Sequence, residues 1–163
     1  MTEKQQIEKN TAEKFIKLYN IEMGTFFKIK KLSDYPDIIC EDLSGNQLNL
    51  EITLTEDKKG DIKTLLGRSN HKTLEYLRGN GMGQASCLSG NVLEQAYHSI
   101  YNKRLKDYGI NTALVVRDVS PIGWDWNFCV KSLTSRLENI QNPFDKGIWI
   151  ITLSVQEKIF RIL

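Results

Sequence analysis

Residues 35–56 read YPDIICEDLSGNQLNLEITLTE, and this stretch predicts a β-hairpin. Its first arm, 37–43, mixes β-branched and acidic residues. Ser44-Gly45-Asn46 supplies turn chemistry, because Gly and Asn tolerate positive φ. The second arm, 47–55, alternates: Leu48, Leu50, Ile52 and Leu54 point one way, and Gln47, Asn49, Glu51, Thr53 and Thr55 the other.

The hairpin implies a register. With the loop centred on Ser44, or between Ser44 and Gly45, paired residue numbers sum to 88 or 89, so Asp37 should lie opposite or nearly opposite Glu51. Opposed side chains of an antiparallel pair are about 4.5–5.5 Å apart at Cβ. Two like charges held there repel unless a positive group lies between them. A hard divalent cation such as Mg²⁺ suits the place, since it takes one or two carboxylates and completes its shell with water and substrate phosphate. Asp37 and Glu51 are therefore candidate metal ligands.

Length, 163 residues, suits one domain spanning 1–163. Hydrophobic residues at 40% and charged residues at 26% describe an ordinary soluble globular chain. No apolar run approaches the roughly 20 residues that span a bilayer, and MTEKQQIEKNTAEK is too polar for a signal peptide. A cytoplasmic location and no membrane partner are expected. Cys40, Cys87 and Cys129 are odd in number and far apart, without CxxC or Cys/His ligand spacing. Zinc is not implied, and three reduced thiols would fit a reducing compartment. The net charge of +2 rules out a polybasic chain, so nucleic-acid binding would need local clusters. Two are present: Lys58, Lys59, Lys63, Arg68, Lys72 and Arg78 after the hairpin, then Lys103, Arg104 and Lys106.

Around the hairpin, residues 5–20 predict a helix with Ile7, Phe15, Ile16 and Tyr19 on one stripe and Glu8 and Glu13 near its edge. Residues 24–32 read as a strand, so a helix precedes a three-stranded meander. Residues 61–77 suggest one or two short helices, and the glycines from Gly79 to Gly90 a connection without the GK[ST] of a Walker A loop. Residues 91–108 carry the strongest helix pattern, with Asn91 as N-cap, Glu94 three residues on and Gly109 at the end. Val92, Leu93, Ala96, Tyr97, Ile100 and Tyr101 form its apolar face, while Gln95, Ser99 and Lys103 make one polar line. The run 112–116, TALVV, predicts a buried strand, parallel to its predecessor across the helical crossover. A loop with Trp124 and Trp126 follows, open either to packing or to base stacking. Residues 128–140 then predict a helix, and 146–153 and 155–163 two strands.

Pro36-Asp37, thirteen residues, then Glu51-x-Thr53, set in the order αβββαβ, resembles the PD-(D/E)XK (restriction-endonuclease-like) nuclease superfamily. The resemblance implies an α/β fold with a central mixed sheet flanked by helices, here extended by a C-terminal helix and strands. It also implies a Mg²⁺- or Mn²⁺-dependent endonuclease, a hydrolase of nucleic-acid backbone, with DNA the expected partner and a homodimer left open. Asp37, Glu51 and the Ile52 carbonyl would hold the metal. Thr53 stands where the family pattern has Lys. Ile100-x-x-Lys103-x-x-Lys106-x-Tyr108 resembles the helix of members whose strand lysine is displaced, making Lys103 the expected catalytic cation with Gln95 nearby. The first helix of the family often turns one acid toward the metal, and Glu13 is the expected residue. The alternative is a catalytically inactive nuclease-fold module for DNA binding or subunit interaction.

Overall fold

The computed structural model describes residues 1–55, 91–119, 125–153 and 156–163. The helix or helices expected over 61–77, the glycine-rich connection, the first basic cluster and Trp124 lie outside the described residues, as does the side chain of Asn91 expected as N-cap.

Helix α1 covers Glu3–Met23. It starts earlier than the apolar stripe suggests, because Thr2 and Gln5 form a reciprocal capping box. Gly24 closes it at φ 66°, a left-handed conformation that costs glycine little. Asn20 then ties down the exit: its Oδ1 accepts from the Phe27 N–H at 2.9 Å and its Nδ2 donates to the Phe27 carbonyl at 3.0 Å. That clamp delays strand β1 to Lys28–Leu32, shorter than the expected 24–32.

Strands β2 (Ile38–Glu41) and β3 (Gln47–Thr55) form the hairpin. Asp42 organises its turn, accepting from the backbone N–H groups of Ser44 and Asn46, each at 2.9 Å. Helix α2 (Asn91–Lys103) crosses to β4 (Thr112–Asp118), and α3 (Trp126–Leu137) leads to β5 (Ile148–Thr152) and β6 (Lys158–Arg161). Among the described residues the strands make one six-stranded sheet in the order β1-β2-β3-β4-β5-β6. β1, β2 and β3 pair antiparallel, β3-β4 and β4-β5 parallel, and β6 returns antiparallel to β5. The chain is thus an α/β protein with a mixed open sheet. No helix among the described residues is long and apolar enough to cross a membrane.

Alternation along the strands divides the core. Ala113 and Val115 of β4 join Leu48, Leu50, Ile52 and the α1 residues Ala12, Phe15, Ile16 and Tyr19 on one face. Leu114 and Val116 join Val92, Ala96 and Ile100 of α2 and Cys129, Leu133 and Leu137 of α3 on the other. Arg117 continues the α1 face of β4; buried there, it donates to Asn10 Oδ1 at 3.1 Å and Thr11 Oγ1 at 3.0 Å.

Several sequence expectations change. α2 ends at Lys103, before Gly109, and Tyr101 is exposed beneath the Arg104 guanidinium, 4.0 Å from its ring centroid, rather than buried. α3 starts earlier than residue 128, at Trp126, because Asp125 caps it by accepting from the Phe128 N–H at 3.3 Å. Trp126 is buried, with Nε1 donating to Asp118 at 2.8 Å, so of packing and stacking it does the former. Cys40 is a buried free thiol pushed up to about 12 by burial. Cys129 is disulfide-bonded, which corrects the expectation of three reduced thiols.

Candidate functional site

Asp37 stands one residue before β2, where Ile38 pairs with Leu50. One more step of that register sets Asp37 against Glu51. The side chain of Asp37 then continues the ladder in place of main chain: its Oδ2 accepts from the buried Ile52 N–H at 2.8 Å. Pro36, without an N–H, leaves the strand free to end there. Both acids are nearly inaccessible, Asp37 at 6% and Glu51 at 4% exposure.

Glu51 belongs to the half of β3 that faces α2. The polar line of that helix packs on the strand: Ser99 Oγ donates to the Leu54 carbonyl at 3.2 Å, and Lys103 Nζ donates to Glu51 Oε1 at 2.6 Å. Gln95 is half-buried on the same line, and Thr53 is half-buried on the strand. The ammonium of Lys103 therefore reaches Glu51 from the helix, two strand positions from where a residue-53 lysine would start.

α1 contributes Glu8. It is buried, within 3.3 Å of Lys4 Nζ, and close enough to Asp37 and Glu51 for their charges to act on it. Glu13 is elsewhere: its carboxylate is exposed and lies 3.9 Å from Lys9. Five residues along an α-helix turn a side chain by roughly 140°, so Glu8 and Glu13 cannot both face the sheet. Glu8 was legible in principle, since it sits at i−4 and i−7 from the buried Ala12 and Phe15 and so within the apolar stripe, not beside it.

The electrostatics of the cluster are those of an anion excess. Burial raises Asp37 above the ordinary carboxylate range, although the Ile52 N–H, Lys103 and Lys4 all favour its charged form. Burial also raises Glu51, against the hydrogen bond from Lys103 and with added repulsion from Asp37. Glu8 is raised by burial and then by Asp37. Carboxylates about 5 Å apart repel by roughly 3 kcal/mol at an effective dielectric of about 20. Two ammonium groups, Lys103 on Glu51 and Lys4 on Glu8, face three carboxylates and leave the group short of positive charge.

Glu51 Oε2 and the hydroxyl of Tyr108 are both buried without a hydrogen bond of good geometry, yet the hydroxyl lies close enough to the Glu51 carboxylate to interact with it directly. The Glu51 and Asp37 charges act on that hydroxyl and, after burial itself, hold Tyr108 well above the ordinary phenol range. In the sequence it is the last residue of the expected helix and closes the line Ile100-x-x-Lys103-x-x-Lys106-x-Tyr108, with no role of its own. In the structure it lies beyond α2 and packs beneath the hairpin entrance, with Tyr35 stacked on it.

Among the described residues no group of three or more His, Cys, Asp or Glu side chains could hold a metal ion alone. Two carboxylates do suit a hard cation that keeps water and phosphate as its other ligands. Glu51 Oε2, buried and unpartnered, is the donor atom such an ion would take, together with Asp37 and the main chain at Ile52. Comparisons with protein-family models, with curated proteins and with solved structures return no match.

Proposed function

We propose that the chain is a divalent-cation-dependent phosphodiesterase of PD-(D/E)XK type that hydrolyses nucleic-acid backbone, with DNA as its substrate. The observation that carries this reading is the convergence of Asp37, Glu51 and Lys103. Asp37, just before β2, and Glu51 on β3 stand opposite each other, and Glu51 is bonded to the helical lysine at 2.6 Å on the sheet face where the reading needs it. The order helix, three antiparallel strands, helix, parallel strand supports it.

Bound between Asp37 and Glu51, Mg²⁺ would lower the pKa of a water and neutralise charge on the scissile phosphate. The protein's own groups have separate tasks. Asp37 and Glu51 fix the anionic pocket, and Glu8 adds charge at its α1 side. Lys103 places its ammonium against charge growing on the phosphate oxygens. Thr53 can only hydrogen-bond the water, because an aliphatic hydroxyl is far too weak an acid to stand in for an ammonium. In the reaction the water oxygen bonds to phosphorus, the phosphorus–sugar oxygen bond breaks, the water gives up a proton to solvent, and the leaving sugar oxygen takes one up from solvent to become a hydroxyl.

One observation favours a second reading. Lys103 already engages Glu51, and position 53 carries no charge, which suits a nuclease-fold module that binds DNA or another subunit without cutting. Nicking of supercoiled plasmid with Mg²⁺ or Mn²⁺ separates the two. Metal-dependent nicking that disappears in Glu51→Gln is the outcome expected here. Salt-sensitive DNA binding with no nicking by either protein supports the module instead.

A further inference from the structure

Three rings are piled at the rim of the carboxylate cluster. Phe144 is buried, and Tyr108 stacks on it with centroids 5.2 Å apart and planes at 25°. Tyr35 stacks on Tyr108 at 4.7 Å and 30°. The outer ring is pinned at its far edge as well, because Tyr35 Oη donates to the Asp107 carbonyl at 2.6 Å. With one face on Tyr108, Tyr35 still leaves 49% of its surface open to solvent.

Two features tie this pile to the acids. Tyr35 precedes Asp37 by two residues, a chain distance of at most about 7 Å. Tyr108, 5% exposed, brings its hydroxyl up to the Glu51 carboxylate and into the field of Asp37. The open face of Tyr35 is thus a flat apolar surface beside the place where a phosphate would be held.

A ring held at both ends has little freedom left to lose, so stacking a planar ligand on it needs little further ordering. The planar group that accompanies a phosphodiester is a nucleobase. In an intact duplex each base is already stacked and paired, so only an unpaired base can lie on an extra ring. We propose that Tyr35 is a stacking platform for an unpaired nucleobase next to the phosphate bound at Asp37 and Glu51, which makes single-stranded or locally opened nucleic acid the preferred substrate. This rests on the phosphodiesterase reading and names its substrate class.

The test measures binding of fluorescein-labelled, cleavage-resistant phosphorothioate oligonucleotides in Mg²⁺, one single-stranded and one a blunt duplex. Wild type, Tyr35→Ala and Tyr35→Trp are compared, with thermal unfolding as a control on folding. The single strand is expected to bind tighter than the duplex. Tyr35→Ala is expected to weaken single-strand binding roughly 5- to 150-fold, the range for losing one base–aromatic stack, with little effect on the duplex. Tyr35→Trp should keep the preference, and its indole fluorescence should be quenched by the single strand. If Tyr35→Ala binds the single strand like wild type, or loses both ligands equally, the stacking platform is refuted while the phosphodiesterase reading stands. Binding of neither ligand by wild type overturns both.

Discussion

Replacing Lys103 with Met removes the ammonium from Glu51 and keeps most of the apolar stem. The carboxylate left behind is 5% exposed, and its second oxygen already has no partner. Its escape is to take up a proton, which sets a ceiling on the damage. From the ordinary Glu value of 4.5, protonation costs about 1.4 kcal/mol per pH unit, hence roughly 3 kcal/mol at pH 7 and under about 1 kcal/mol at pH 5. Burial has already raised Glu51, so both are upper bounds. The pH 7 value meets the lower end of the about 3–5 kcal/mol typical of breaking a buried ion pair. At about 2–4 °C per kcal/mol for a domain of this size, metal-free Lys103→Met should melt roughly 6–12 °C below wild type at pH 7 and no more than roughly 3 °C below it at pH 5. Adding Glu51→Gln removes the stranded charge, so the double variant should recover most of the loss. Calorimetry at the two pH values decides. Equal losses at both, or a double variant no better than Lys103→Met, would show that the lysine acts by packing and that the charge argument is mistaken.

The raised acids also give the unsubstituted protein a pH signature. A carboxyl whose folded pKa is raised holds its proton longer when folded, so metal-free stability should fall as pH rises through the ordinary values of 3.8 and 4.5 toward the raised ones. Glu51→Gln should flatten that slope in thermal melts. Saturating Mg²⁺ should reverse the loss, by about 2.7 kcal/mol at a hundred times its Kd, and leave Glu51→Gln unmoved. Glu8→Gln should weaken Mn²⁺ binding measured by titration calorimetry while Glu13→Gln leaves it unchanged; equal effects would remove Glu8 from the site. Tyr108→Phe removes a hydroxyl that faces the Glu51 carboxylate without a well-formed hydrogen bond and keeps both stacking contacts, so metal-free stability should change by less than about 1 kcal/mol. A loss beyond that in chemical denaturation would mean the hydroxyl has a structural partner.

The hairpin was legible because two independent signals agree. Alternation along 47–55 and the turn at Gly45 narrow the pairing to sums of 88 or 89, and the structure takes 88, with Ile38 opposite Leu50; alternation itself keeps Glu51 out of the α1 core. The parallel neighbour β4 was legible from its unbroken apolar run, and the polar line of α2 from its period. Less visible were features set by single side chains acting at a distance. Nothing in a periodic pattern shows that Asn20 clamps Phe27 and shortens β1, or that Tyr108 leaves its helix to stack under Tyr35. The choice between Glu8 and Glu13 turns on the rotation of α1, and Ile7, Phe15, Ile16 and Tyr19 alone leave its buried centre, at Thr11 and Ala12, unfixed. Trp126 found its buried acceptor in Asp118 on another element, a pairing its loop-like surroundings did not announce.

Under the proposed function Asp37 would serve twice. Its Oδ2 accepts the Ile52 N–H, a bond the architecture needs whether or not any chemistry takes place. Asparagine could still accept there through its amide oxygen, whereas alanine would strand a buried N–H. A lineage of this chain released from selection for cutting would therefore drift to Asn at position 37 far more readily than to Ala. Position 51, with no proposed cation left to hold, would drift toward Gln or an apolar residue together with Lys103. Paired loss at 51 and 103, with an acceptor retained at 37, is the mark that abandoned catalysis would leave in this fold.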